Sequence, residues 1–161
     1  LYSHEAIEKL KEMIESIDFA MMATDLNSLP LHMIPMSTKK VDDQGYIWFL
    51  SNKNSQHNKN IMGNEKLHLI YVGKGDMQFL NVFGNASISS DKTKIHELYE
   101  SADDAWFDGK DDPNITAISV KPLEAFYWDP KNNKLVSLLI MGLGSISGDQ
   151  PYLMDQVELK M

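Results

Sequence analysis

The chain reads as mainly β with peripheral helices (α+β), with about six to eight antiparallel strands curled into a closed or nearly closed barrel. Three observations predict this. Short apolar runs recur between turn signals, as in Phe19 to Thr24, Tyr46 to Ser51 and Leu67 to Val72. Glycine-bearing polar turns such as Asp42-Asp43-Gln44-Gly45 separate them. Helical periodicity is confined to the start of the chain and to brief, capped segments between strands.

From His4 to Ile17, the residues Ala6, Ile7, Leu10, Met13, Ile14 and Ile17 share one helical face, with charged residues elsewhere, so an amphipathic helix is expected there. Ser3 supplies its cap, and His4 is a solvated first-turn residue. Phe19 to Thr24 is a strand, followed by the polar turn Asp25 to Ser28. Leu31 to Thr38 is the second strand. The turn Asp42 to Gly45 then joins it to Tyr46 to Ser51 as an antiparallel hairpin. Trp48 and Leu50 share one face of that third strand, Ile47 and Phe49 the other; with both faces apolar, the strand is expected to be central and covered on both sides.

Ser55 reads as an N-cap, with a short helix from Gln56 to Met62 that ends at Gly63-Asn64. Leu67 to Val72 is a fourth strand, Gly73 to Asp76 a turn and Met77 to Ser89 a long fifth strand. Gly84 inside it marks a bulge or a close backbone approach. Asp91 caps a helix from Lys92 to about Tyr99, and an acidic connection runs from Ser101 to Pro113. Ile115 to Val120 is a sixth strand, and Ala125 to Asp129 begins a seventh. Leu135 to Leu139 continues the sheet after a turn at Pro130 to Asn133. The segment from Gly142 to Met161 has no clear periodicity and is expected to be a loosely packed or dimer-contacting tail.

With 161 residues and 43% hydrophobic content, one domain spanning 1–161 is expected. A formal net charge of -8 argues against nucleic acid or an anionic membrane as partner. Cysteine is absent, which excludes disulfides, thiol catalysis and thiolate metal sites and fits a reducing cytoplasm. There is no apolar run long enough to span a bilayer.

Candidate chemistry concentrates between Leu31 and Met62. Ser55 and the following backbone N–H groups make a potential anion site at a helix start, with Lys39, Lys40, Lys53, His57 and Lys59 near it in sequence. The same residues also read as an ordinary cap beside a solvated hairpin end. His4, His32, His57, His68 and His96 lack metal-ligand spacing, no serine sits in a nucleophile elbow, and the acidic run has the wrong ligand order for a calcium loop. No residue stands out as a general acid or base, so no catalytic side chain and no metal are expected.

The run Pro35-Met36-Ser37-Thr38, the strand Gly45-Tyr46-Ile47-Trp48-Phe49-Leu50 and the stretch Ser51 to Ser55 before a helix resemble the general stress protein branch of the pyridoxamine 5'-phosphate oxidase-like, FMN-binding split-barrel proteins. Trp106-Phe107-Asp108-Gly109, Asp111-Asp112-Pro113 and Phe126-Tyr127-Trp128-Asp129 follow in the same order. The resemblance implies a split β-barrel and a homodimer that holds FMN in a groove between subunits. It further implies that Pro35, Met36, Lys39, Leu50, Ser51, Ser55, His57 and Trp128 border the cofactor. Lys39 stands at a phosphate-binding lysine position, but Ile34 stands where arginine is expected and Gln56-His57 where a basic pair is expected. Trp128 reads equally as a flavin-bordering or a core aromatic. Lys134-Leu135-Val136 replaces the Arg-x-His that contacts the vitamin substrate, so true pyridoxamine phosphate oxidation is disfavoured. The implied function is flavin-dependent redox activity on an unidentified substrate. The alternative is a non-catalytic stress-related binding module that has lost flavin or takes another ligand in the groove.

Overall fold

A computed structural model describes residues 3–74 and 78–140 of the chain. Helix α1 (His4–Ile17) opens it, its first turn capped by Ser3, whose hydroxyl accepts the Ala6 N–H at 3.2 Å. Leu10, Met13 and Ile14 on its inner face lie in the main core, where each fully buried side chain of this size stabilises by about 1.5–3 kcal/mol. The helix stops at Asp18, whose φ of 69° turns the chain sharply into the sheet.

Strands β1 (Phe19–Thr24) and β2 (His32–Ser37) form an antiparallel pair, followed by the short β3 (Lys40–Val41) and by β4 (Ile47–Asn52). Helix α2 (Gln56–Gly63) leads to β5 (Lys66–Val72) and β6 (Phe79–Ser89). Helix α3 (Lys92–Leu98), capped by Asp91, is followed by a 3-10 turn (Ser101–Ala105), then by β7 (Ile115–Asp129) and β8 (Lys134–Ile140). The strands form one eight-stranded sheet in the order β2-β1-β5-β6-β7-β4-β3, with β8 on β7, and every pairing is antiparallel.

The connection from Ser37 to Lys40 shows how the sheet curls. Although β2 and β3 occupy opposite ends of the strand order, only Thr38 and Lys39 separate them in the chain. That link spans roughly 10 Å at most, so the two ends must meet at this corner, and the sheet bends into a split barrel. The split opens along β7. The edge of β7 facing away from β6 pairs with β4 from Ile115 to Val120, then with β8 from Glu124 to Asp129.

Two expectations are corrected. The Asp42 to Gly45 turn does not join the second strand to the third, because β2 pairs with β1; the hairpin is Lys40–Val41 against Ile47 and Trp48. Gly45 takes φ 87°, and Asp42 accepts the Gln44 and Tyr46 N–H groups and the Trp48 indole N–H at 2.8–2.9 Å. The expected sixth and seventh strands are one, since β7 runs unbroken from Ile115 to Asp129. Pro122 is accommodated because the β4 ladder ends at Val120 and the β8 ladder begins at Glu124. Its register partner across the sheet is Gly84, beside a register shift at Phe83/Gly84. A Cβ at Gly84 would lie 2.6 Å from the Lys121 carbonyl oxygen, which is the close approach that the glycine signals.

The main core fills the barrel with Met22, Ile47, Phe49, Leu69, Tyr71, Val82 and Val120. A second cluster, Leu50, Ile95, Leu98, Ile115 and Ala117, packs α3 onto the other face of β4 and β7. Both faces of β4 are therefore covered, Ile47 and Phe49 by the first cluster and Leu50 by the second. The tail from Gly142 to Met161 lies outside the described residues.

Candidate functional site

The start of α2 is where buried polar groups gather. Ser55 caps the helix, its hydroxyl accepting the Asn58 N–H at 3.2 Å. The Lys59 N–H is taken by the Ser55 carbonyl, while those of Gln56 and His57 have no acceptor within the helix, as geometry requires of a first turn. They leave donors and the positive end of the helix dipole at this point.

The helix is tied down by a buried hydroxyl and amide chain. Asn58, 1% exposed, donates from Nδ2 to Thr116 Oγ1 at 2.8 Å. Thr116 Oγ1 lies 2.6 Å from Ser51 Oγ. Asn60 Nδ2 donates to Thr24 Oγ1 at 3.1 Å. These bonds fasten α2 to β7, β4 and β1, and they make Ser51 a positioning residue whose hydroxyl is already engaged.

Three buried polar atoms in this region lack any partner: His32 Nε2, His57 Nε2 and Asn58 Oδ1. Leaving such an atom unpaired costs about 1–3 kcal/mol, so a cluster of them asks for water or a ligand. Burial, reinforced by the nearby His32, pushes the His57 imidazole down to about 4, so it is neutral at neutral pH. His32 had carried no functional expectation. The alternation of β2 could have found it, because His32, Ile34 and Met36 share the half-buried face of that strand.

The remaining predicted site residues go elsewhere. Lys39 has a side chain only 8% exposed, and its ammonium lies 2.7 Å from Asp103 and 3.4 Å from Glu100 on the acidic 3-10 turn. Met36 packs against the main core and Leu50 lies under α3. Pro35 is exposed on the opposite face of β2, across from Met21. Trp128 is half-buried across from Leu135, at the end of β7 opposite to Thr116, where α2 is anchored. A single subunit thus brings Ser51, Ser55 and His57 together and adds His32. Among the described residues, no group of three His, Cys, Asp or Glu side chains is placed to hold a metal ion. No described helix is long and apolar enough to cross a membrane.

Residues 5–152 match the family model described as pyridoxamine 5'-phosphate oxidase like. The chain belongs to the pyridoxamine 5'-phosphate oxidase-like family. Within it, the chain is 29% identical over 80 residues to general stress protein 26 of Bacillus subtilis, a stretch covering 47% of this chain and 56% of that relative. The match therefore spans little more than half of that protein's length. Among solved structures of the same fold, general stress protein 26 from Bacillus anthracis superposes with a TM-score of 0.68 at 22% identity, covering 78% of this chain and 94% of that one. A Clostridium acetobutylicum protein related to general stress protein 26 gives 0.70 at 20% identity, covering 84% and 94%. A general stress FMN/FAD binding protein from Xanthomonas citri gives 0.67 at 23% identity, covering 78% and 89%. These likenesses establish the split-barrel fold of the pyridoxamine 5'-phosphate oxidase-like family for this chain.

Proposed function

We propose that this protein binds FMN, with the flavin phosphate at the start of α2, and that it serves in flavin-dependent redox chemistry on a substrate still to be identified. The observation that carries the reading is the pair of unpartnered buried imidazole nitrogens, His32 Nε2 and His57 Nε2, beside a hydroxyl-capped helix start. These groups fit a phosphate: Ser55 and the first-turn N–H groups supply donors, and the His57 ring supplies one more. Ser51, Thr116 and Asn58 hold the helix start in position. FMN, when bound, supplies the electron-transfer chemistry, while this chain supplies orientation and electrostatics. The Xanthomonas citri relative, described as FMN/FAD binding, supports the same reading.

The functional unit in this reading is a cytoplasmic homodimer. The outer face of β1, β2, β5 and β6 carries exposed Phe19, Met21, Met33, Val72 and Phe79, with Met21 in register with both Pro35 and Ile70. An apolar face of this kind is what a second copy would cover. Since Trp128 and the α2 anchor occupy opposite ends of β7, a flavin touching both would have to lie between two copies. Light scattering that gives a monomer mass at micromolar concentration would remove the dimer and the shared groove.

A second reading is favoured by Lys39, whose charge is already met by Asp103 and Glu100, and by Ile34 and Gln56 at expected cation positions. In that reading the protein is a non-catalytic stress-related module that has lost flavin or accepts another ligand in the groove. The absorption spectrum of the purified protein, before and after FMN addition, separates the two. A colourless protein that neither quenches FMN fluorescence nor gains thermal stability from FMN overturns the flavin reading.

A further inference from the structure

We propose that His32 and His57 form a two-histidine clamp for a phosphate group, and that closing it takes up protons, so that FMN is held more tightly as pH falls. The proposal rests on the flavin reading for its ligand, but its geometry stands separately. Asn60 lies one turn beyond His57 on α2, and its amide donates to Thr24. Thr24 is the direct register partner of His32. The face of α2 that carries His57 is thereby set against the β1/β2 ladder at the position of His32. Each ring buries its Nε2 without a hydrogen-bond partner.

The surroundings decide what kind of ligand fits. From the elements packed on α2, β1 presents Thr24, β7 presents Thr116, and β6 presents Ala86 and Ile88, none of which titrates. His32 is the one charged or titratable group that acts on His57; Asp25 beyond β1, Glu65 beyond α2 and the exposed Lys53 and Lys59 do not contribute. No carboxylate acts on His57, so burial and the neighbouring His32 hold its ring neutral while the site holds only solvent. A phosphate brings the missing negative charge, raises the proton affinity of each ring and turns its buried nitrogen into a charged donor. His32 also lies on the same face of β2 as Ile34, the position at which the resemblance led us to expect an arginine. The permanent cation expected at the Gln56-His57 pair is replaced by one that forms only when ligand and proton arrive together.

Linkage fixes the sign and the size. Each proton taken up on binding tightens the ligand about tenfold per pH unit between the free and bound pKa values of the ring. The test follows the histidine ring protons by NMR across pH 5 to 8, with and without inorganic phosphate, alongside fluorescence titrations with FMN and with riboflavin, which lacks the phosphate. We expect phosphate to raise the midpoints of both rings, and the FMN dissociation constant to fall about tenfold from pH 8 to pH 6 while that of riboflavin stays level. His32→Asn, checked for an unchanged melting temperature, should remove most of that pH dependence. If FMN binds equally well at both pH values and phosphate leaves the ring midpoints unmoved, the clamp is wrong and the flavin reading stands. If phosphate moves the midpoints but neither flavin binds, the clamp stands and the flavin reading fails. The ring titration uses the unaltered protein, so a poorly folding variant does not block the decision.

Discussion

Lys39 is locked to Asp103: its ammonium lies 2.7 Å from the Asp103 carboxylate, with the side chains 8% and 14% exposed. The pair joins the corner where the sheet closes to the acidic 3-10 turn, which Asp103 also braces by accepting the Glu100 N–H at 2.9 Å. Removing one member of such a pair strands the other charge. We predict that Asp103→Asn or Lys39→Met lowers stability by about 3 kcal/mol. The double substitution should cost less than the two single costs added together. Urea denaturation of the three variants checks this, and additive costs would show that the ions do not depend on one another.

Gly84 cannot accept a side chain without a shift of the neighbouring backbone. Its Cβ would meet the Lys121 carbonyl at 2.6 Å and the Val120 side chain at 2.9 Å, and a backbone atom cannot swing aside as a flexible side chain can. Gly84→Ala should destabilise by about 1–3 kcal/mol through overpacking. Gly63→Ala, with nothing within 4 Å of the added methyl, is the control and should leave the melting temperature close to that of the parent.

Thr116 is the hub of the bonds that hold α2, since its hydroxyl meets both Ser51 and the Asn58 amide. Thr116→Val keeps the shape and deletes the hydroxyl, leaving two buried groups unsatisfied at a cost of about 2–4 kcal/mol. Amide exchange should speed up in α2 before it does in β5 or β6. Uniform acceleration across all three elements would mean that the helix is not selectively anchored there.

The depressed His57 fixes an acid limit. Its pKa in the fold is about 4, below the ordinary 6.5, so between these values the unfolded chain binds the proton and the folded chain does not. Stability must therefore fall as pH drops from about 6.5 toward 4. With the ring only half-buried, solvent screening limits the loss to about 1–2 kcal/mol. His57→Gln should flatten that part of the melting-temperature profile. An unchanged acid slope in this variant would assign the loss to other groups.

Local chemistry explains how much could be read in advance. The Ser3, Ser55 and Asp91 caps, the positive φ at Gly45 and the constraint at Gly84 are each written in a few adjacent residues, and they were legible. Partner choice was not. Nothing local tells Leu31 to Thr38 to pair with β1 rather than across the Asp42 to Gly45 turn, because both alternatives bury the same face. The continuity of β7 between Val120 and Ala125 depends on β4 and β8 dividing one of its edges, a fact of the tertiary fold. At the site, Ser55 and His57 were visible as a helix start. The engagement of Lys39 by Asp103 and the docking of α2 on Thr24, the register partner of His32, bridge distant parts of the chain, so no sequence spacing announces them.

The divided edge of β7 also sets an order of events during synthesis. Strand β4 is complete at Asn52, yet apart from the two-residue β3 its partner is Ile115–Val120. As the chain emerges from the ribosome, β1, β2, β5 and β6 can pair as soon as they appear, while one long edge of β4 waits for more than sixty further residues. Until then the apolar strand Ile47 to Leu50 is a sticky template for its neighbours on the same messenger. Crowding of translating ribosomes is then a condition that this order of strand pairing makes hazardous for the nascent barrel.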